Sequence, residues 1–259
     1  MPANGGVLMS HLYVYQKGKR TVQSSCWQGL ISLYPSLRCH IPNVLSVVGA
    51  GGKTTWIANL AREGQKLGQR ILIVTTTHMQ IPAQWGVLTG NVRDIACQLE
   101  SEGIAVAGIP CEDGKITYIG DALFQQIYPL ADTILIEADG SKRVSLKALG
   151  RHEPVIVPQT QYILCLAGMS SVGKPIGKGC FRWQELPVRP QDILTPAVFS
   201  KVWRRGCLDI LHKRYTQPVI PILNQCDMKE LQEQAQYILQ RSGTARGLIS
   251  SFSEKEREL

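Results

Sequence analysis

No apolar stretch of this 259-residue chain approaches the ~20 residues needed to cross a bilayer. The first residues, with Asn4, Gly5 and Gly6, lack the charged-then-apolar order of an export signal. A cytoplasmic location is therefore expected. The eight cysteines (Cys26, Cys39, Cys97, Cys111, Cys165, Cys180, Cys207, Cys226) form no Cys-x-x-Cys and no Cys/His pair at zinc spacing. Reduced thiols are expected in place of a metal knot or a disulfide framework. Long basic runs are missing too: the basic residues come as scattered pairs such as Lys19-Arg20, Lys142-Arg143, Arg204-Arg205 and Lys213-Arg214, with no interleaved aromatic series. The formal charge of +8 is accordingly read as solvated surface, and nucleic acid is not the expected partner. Internal repeats and low-complexity tracts are also absent. With 44% hydrophobic and only 19% charged residues, the chain has the material for a sizeable core, which excludes a disordered chain.

Short, continuous apolar runs rich in β-branched residues predict buried strands at Val44 to Val48, Ile71 to Thr75, Ile104 to Ile109, Thr133 to Ile136, Tyr162 to Leu166 and Val219 to Leu223. Helical patterns fall between them. Ile57, Leu60, Ala61 and Gly64 share a face of a segment from Thr54 to Lys66. Val92, Ile95, Ala96 and Leu99 follow an Asn91 cap, and Leu231, Ala235 and Ile238 form a third stripe. Alternating strands and helices predict a doubly wound, mostly parallel α/β sheet in three αβα layers. Residues 1–40 are expected as an irregular extension with a short helix from Trp27 to Leu33, and 41–259 as a single domain. The stretch at about 168–196, rich in glycine and proline, is expected as a long loop or lid.

The strand at Val44 to Val48 runs into Gly49-Ala50-Gly51-Gly52-Lys53-Thr54-Thr55 and then a helix, the context a phosphate loop requires. Glycines let main-chain N–H groups turn around phosphate oxygens, the helix start adds partial positive charge, Lys53 neutralises the outer phosphates and Thr54 offers a hydroxyl to Mg. The familiar pattern places a glycine where this chain has Val47. The shorter G-x-x-G-K-T-T form resembles the loop of Mur-type peptide ligases, and Lys-Thr-Thr is similar to that of dethiobiotin synthetases and partition ATPases. A dinucleotide-binding turn would want glycine at Thr54 and an acid after the second strand, where Thr75-Thr76-Thr77 stands.

Three further strand ends support this site. Ile134-Leu135-Ile136 runs into Glu137-Ala138-Asp139, where an acid is placed to hold Mg; either Glu137 or Asp139 is a candidate, the other positioning water or substrate. Thr75-Thr76-Thr77-His78 ends the second strand and makes His78 a catalytic candidate, set against a purely structural histidine. Asn224-Gln225-Cys226-Asp227 resembles the guanine-reading N-K-x-D motif with glutamine in place of lysine. Asp227 would accept from guanine N1–H and its 2-amino group, which favours GTP over ATP, although a helix cap explains the same residues.

Together these segments, with Lys142, Leu146-Lys147-Ala148 and His152-Glu153-Pro154-Val155-Ile156, resemble the selenium cofactor biosynthesis proteins, or selenium-dependent hydroxylase accessory proteins, a YqeC-like group of P-loop proteins. The resemblance covers about residues 40 to 230. It implies a part in maturing selenium-dependent molybdenum hydroxylases, and it makes Lys142, Lys147 and His152 candidates for an acceptor site. Three activities remain open: a Mg-dependent NTPase serving a partner enzyme, a kinase or ligase in which Lys147, His152 or Arg182 holds an anionic acceptor, and a nucleotide-binding regulator without turnover.

Overall fold

The computed structural model describes residues 11–38 and 42–252; Cys39 and the amino-terminal residues considered for an export signal lie outside them. In chain order, β1 (His11–Gln16) and β2 (Lys19–Val22) form a hairpin and α1 (Cys26–Leu33) follows. The glycine loop joins β3 (Asn43–Gly49) to α2 (Lys53–Lys66). Next come β4 (Ile71–Thr75), β5 (His78–Gln80), β6 (Gly86–Val87), α3 (Val92–Glu102), β7 (Ile104–Ala107), β8 (Ile109–Cys111), β9 (Lys115–Thr117) and α4 (Asp121–Ile127). The second half holds β10 (Thr133–Glu137), β11 (Leu146–Lys147), β12 (Tyr162–Gly168), α5 (Ile176–Gly179), β13 (Cys180–Phe181), α6 (Pro196–Trp203), α7 (Asp209–Arg214), β14 (Val219–Asn224), α8 (Lys229–Arg241) and β15 (Arg246–Ser251).

Ten strands form one sheet in the order β2-β1-β15-β14-β12-β3-β10-β4-β7-β6. It is parallel from β15 to β6, and only the β1–β2 hairpin runs antiparallel at one edge. The strands read as unbroken apolar runs because both faces are covered. Leu45, Val47, Ile73, Leu135 and Leu164 meet Trp27 and Leu30 of α1 and Trp56, Ile57 and Leu60 of α2. Their neighbours Val44, Val48, Val74, Ile136 and Ile163 meet the opposite layer, with Ile95, Phe124, Phe199, Leu211 and Ile238. The fold is thus a doubly wound, mostly parallel three-layer α/β sandwich. Each such aliphatic side chain contributes about 1.5–3 kcal/mol through burial.

The amino-terminal segment departs from the expected irregular extension. Lys17 and Gly18, both at positive φ (50° and 80°), close a two-residue hairpin between Gln16 and Lys19. β1 then pairs along its whole length with β15. Helix α1 docks on α2: the Glu63 carboxylate accepts the N–H groups of Cys26 and Trp27 (2.9 and 3.0 Å), and Trp27 Nε1 donates to the Leu60 carbonyl (2.9 Å). The connection at 169–195 holds short helical turns, α5 and β13, and it is pinned to the core by Met169, Ile176, Cys180 and Leu194, all buried.

The order of the central strands positions the site. From β10, on one side of β3, the chain crosses to β12 on the other side. A crevice beyond the carboxyl ends of the strands opens where such a sheet reverses direction, and the glycine loop occupies it here.

Candidate nucleotide site

The glycine loop is built by close approach. Gly49, Gly51 and Gly52 take φ of 96°, 83° and 110°, a region in which a Cβ is strained. Added Cβ atoms would also collide, at Gly49 with the Leu166 carbonyl oxygen and at Gly51 with the backbone of Gly168. The Ala50 N–H donates to the same Leu166 carbonyl at 3.0 Å. Val47, in place of the familiar first glycine, is a fully buried strand residue on the α2 face, so the tight turn begins two residues later, at Gly49. Helix α2 starts at Lys53, leaving the orphan N–H groups of a helix start at Lys53, Thr54 and Thr55.

Charged side chains converge under this loop. The Lys53 ammonium, 4% exposed, donates to the Gly49 carbonyl at 2.9 Å and lies 3.1 Å from Asp139 Oδ1 and 3.8 Å from Glu137 Oε1. Burial acts to lower its pKa, but Asp139 and Glu137 outweigh that and hold it above the ordinary lysine value. Glu137 behaves oppositely: burial raises its carboxyl pKa, and Lys53 only partly offsets the rise. Its Oε2 accepts from the Thr54 hydroxyl at 3.2 Å.

Asp139 is wholly enclosed. Both its oxygens accept the Gly49 N–H (3.1 and 2.9 Å), while Oδ1 faces Lys53 and Oδ2 faces Lys147 at 2.9 Å. Lys147, expected at an acceptor site, is instead 1% exposed and fully engaged, donating to the Gly140 carbonyl (2.6 Å) and to Glu153 Oε2 (2.7 Å). Arg182 Nη1 closes the series on the same Glu153 oxygen at 2.6 Å. Lys53, Asp139, Lys147, Glu153 and Arg182 therefore form an alternating ladder from loop to surface. Sequence reasoning missed Glu153 as a member of it; the available signal was a lysine inside the apolar run Leu146-Lys147-Ala148-Leu149.

Asn224 and Asp227 divide their roles. Asn224 Nδ2 donates to the Gly51 carbonyl at 2.9 Å, and its Oδ1 accepts from Ser250, which also accepts from Trp56 Nε1 at 3.0 Å. Asp227 is half-buried at the same end of β14 and accepts from the Ser251 hydroxyl at 2.6 Å. Gln225, where the guanine motif has lysine, takes φ 62° and accepts from Ser170 at 2.7 Å. His78 is exposed on β5, which pairs with β9 in a separate three-stranded sheet, and His152 is exposed on the turn before Glu153. Burial pushes the Cys180 thiol up to about 12 and raises that of Cys226 too, which argues against either acting as a thiolate.

The donors fit Mg. Thr54 and Glu137 present a hydroxyl and a carboxylate side by side, the oxygen set of an ion that takes one or two protein ligands and fills its shell with phosphate and water. Asp139 has both oxygens committed, which leaves Glu137 as the carboxylate next to Thr54. Among the described residues no cluster of three or more His, Cys, Asp or Glu has metal-binding form.

Among solved structures the chain is similar to the signal recognition particle 54 kDa protein of Aeropyrum pernix K1, solved in complex with GDP, at 12% identity and a TM-score of 0.42, covering 89% of this chain and 48% of that one. It is also similar to FtsY of Mycoplasma mycoides at 13% identity and TM-score 0.37, covering 78% and 57% of the two chains. A third match is a GTPase in apo form from Pyrococcus abyssi, at 16% identity and TM-score 0.36, covering 77% of each. The uncharacterized protein YqeC of Escherichia coli (strain K12) is 37% identical over 155 residues, covering 56% of this chain and 59% of that protein, so the match spans less than two thirds of the relative's length. No helix among the described residues is long and apolar enough to cross a membrane. The sequence profile described as YqeC protein matches residues 45–184, more than half of the chain and the stretch that carries the glycine loop, Glu137, Asp139, Lys147 and Glu153: the chain belongs to the YqeC family.

Proposed function

We propose that this protein binds a Mg-complexed nucleoside triphosphate at the β3–α2 loop and acts as a slow NTP hydrolase or phosphoryl-transfer protein. One observation carries the proposal: Lys53, Thr54, Glu137 and Asp139 converge under a loop whose glycines are required by both φ and space. The helix-start amides and Lys53 would hold the phosphates, and Thr54 with Glu137 would hold Mg, which supplies neutralisation of phosphate charge. Asp139 then serves the fold of the loop. Its two bonds to the Gly49 N–H fix the turn, and Lys147 keeps it charge-balanced when Lys53 swings toward phosphate.

GTP is favoured over ATP because Asp227, oriented by Ser251, stands at the carboxyl end of β14 as an acceptor for guanine donors. The part in maturing selenium-dependent molybdenum hydroxylases rests on the resemblance of the motif series. The deciding experiment is a titration of the purified chain and of Lys53→Ala with GTP and ATP, with and without Mg. The variant loses a charge-assisted contact of about 1.5–3 kcal/mol, a drop of roughly tenfold or more in affinity. Equal affinity of the two proteins would remove the proposal.

A further inference from the structure

We propose that the surface around Phe181 is a second ligand site, which takes the phosphate or carboxylate group of a small molecule beside the nucleotide; the inference rests on the nucleotide reading above and adds a substrate class to it. Four observations bring the site together.

The first is charge balance. Inside the ladder every cation faces a carboxylate: Lys53 has Glu137 and Asp139, Lys147 has Asp139 and Glu153, and Arg182 has Glu153. The exposed residues on the turns above it, Lys142, Arg143 and Arg151, have no ion pair among the described residues. The excess positive charge of this region therefore lies on its solvent side, over a buried ladder that cannot neutralise it.

The second is the ring. Lys142 Nζ lies 5.4 Å and Arg182 Cζ 5.0 Å from the Phe181 centroid, so the two charges are no farther apart than the sum of those distances. Attraction to one ring holds the unpaired Lys142 ammonium near the Arg182 guanidinium, which Glu153 engages through Nη1 and leaves with further N–H donors for an oxyanion.

Backbone strain is the third. Val144 N–H bonds back to the Ser141 carbonyl at 3.1 Å, closing a turn whose two central residues, Lys142 and Arg143, both take left-handed φ (47° and 60°). Arg182 takes φ 56°. Side chains with a Cβ adopt this region at a cost, and such strain is found where a side chain has to be aimed.

The fourth is rigidity. Arg182 is anchored through Nη1 to Glu153, and its guanidinium lies against Gly150 so closely that a Cβ there would collide with it. A guanidinium carries five N–H donors in a fixed fork, and Glu153 holds one edge of it in register. Glu153 is itself held by Lys147, so the buried ladder positions the recognising fork. Lys147 contributes by holding this register rather than by touching the ligand.

The test uses the full chain loaded with Mg and a non-hydrolysable GTP analogue, so that the loop is blocked, and titrates it with inorganic phosphate and, separately, with a hexaglutamate peptide. Phosphate is expected to bind the loaded chain and to bind the double variant Lys142→Gln/Arg182→Gln at least about tenfold more weakly, as two charge-assisted bonds are lost. Should the double variant fail to fold, Lys142→Gln alone carries the test, because its side chain is exposed, and a loss of about threefold or more is expected. The proposal is overturned if phosphate does not bind the loaded chain, if it binds the variants as tightly, or if the peptide alone binds. Failure of the nucleotide reading is separate: it appears as undiminished nucleotide affinity in Lys53→Ala, and a phosphate titration of that variant then decides the second site by the same criterion.

Discussion

The sheet has two polar ends, and they handle charge differently. At the amino ends of β14 and β15 lies a cavity of 380 Å³ lined by Tyr34, Arg204, Asp209, His212, Ser242 and Arg246 among others. Its ion pair, Arg204 with Asp209 at 3.3 Å, is about half exposed on both partners. At the carboxyl ends of β3 and β10, by contrast, Lys53, Asp139 and Lys147 are almost fully removed from water. Exposed pairs contribute about 0–1 kcal/mol, whereas buried charges cost several kcal/mol each to desolvate and persist only where geometry satisfies them. The comparison teaches that the two ends differ in the cost of keeping charge dry, and that cost is what singles out the β3–β10 end as the candidate site.

The sharpest way to break the comparison is Lys147→Ala. It strips one of two cations from each of Asp139 and Glu153 and breaks two buried pairs, and a destabilisation of about 3–5 kcal/mol is expected, measured by urea unfolding; a loss below about 1 kcal/mol would show that water reaches the ladder. Asp227→Asn is expected to weaken GTP by roughly tenfold, the scale of one charge-assisted bond, while sparing ATP. An equal effect on both nucleotides would reduce Asn224 to Asp227 to a helix cap.

Glu137→Gln sharpens the picture through pH. Because the folded carboxyl holds its proton more tightly than the ordinary value of 4.5, its contribution is fully present below that value and is lost as pH rises through the raised one. Without Mg the variant is expected to melt higher than the parent at neutral pH, with a flatter decline of stability from pH 4.5 upward. Added Mg should stabilise the parent more than the variant. At the other end of the sheet, Arg204→Ala is expected to cost about 0.2–1 kcal/mol and to leave nucleotide affinity unchanged. A larger effect on binding would make the two ends chemically alike.

Much of the central sheet was legible because a strand buried on both faces has nothing but apolar residues to offer: β3, β4, β10, β12 and β14 were each visible as such a run. The first and last strands of the chain were not. In β1 the apolar run Leu12-Tyr13-Val14-Tyr15 stops at the Lys17-Gly18 turn with no helical pattern directly after it, and β15 has only Leu248-Ile249 between Gly247 and Ser250-Ser251. Helix α6 carried the signature of a Thr195 cap followed by Pro196 in the first turn, but it sat at the edge of a stretch dominated by glycine and proline. At the site, the strand-end residues Lys53, Thr54, Glu137 and Asp139 could be named because the loop motif fixes where they fall. Their division of labour could not, since Asp139 is claimed by Gly49, 90 residues earlier in the chain, and by Lys147, whose burial shows in the sequence only as a lysine inside an apolar run and whose partner does not show at all.

The bond series from the Trp56 indole through Ser250 and Asn224 to the Gly51 carbonyl equips the molecule with an optical gauge. The indole is shielded from solvent, so its surroundings are set by that relay and by the Phe252 ring and not by bulk water. A loop that tightened on an anion would draw on the amide of Asn224, and a change of emission in the parent that Trp56→Phe lacks would register the pull with no dye attached.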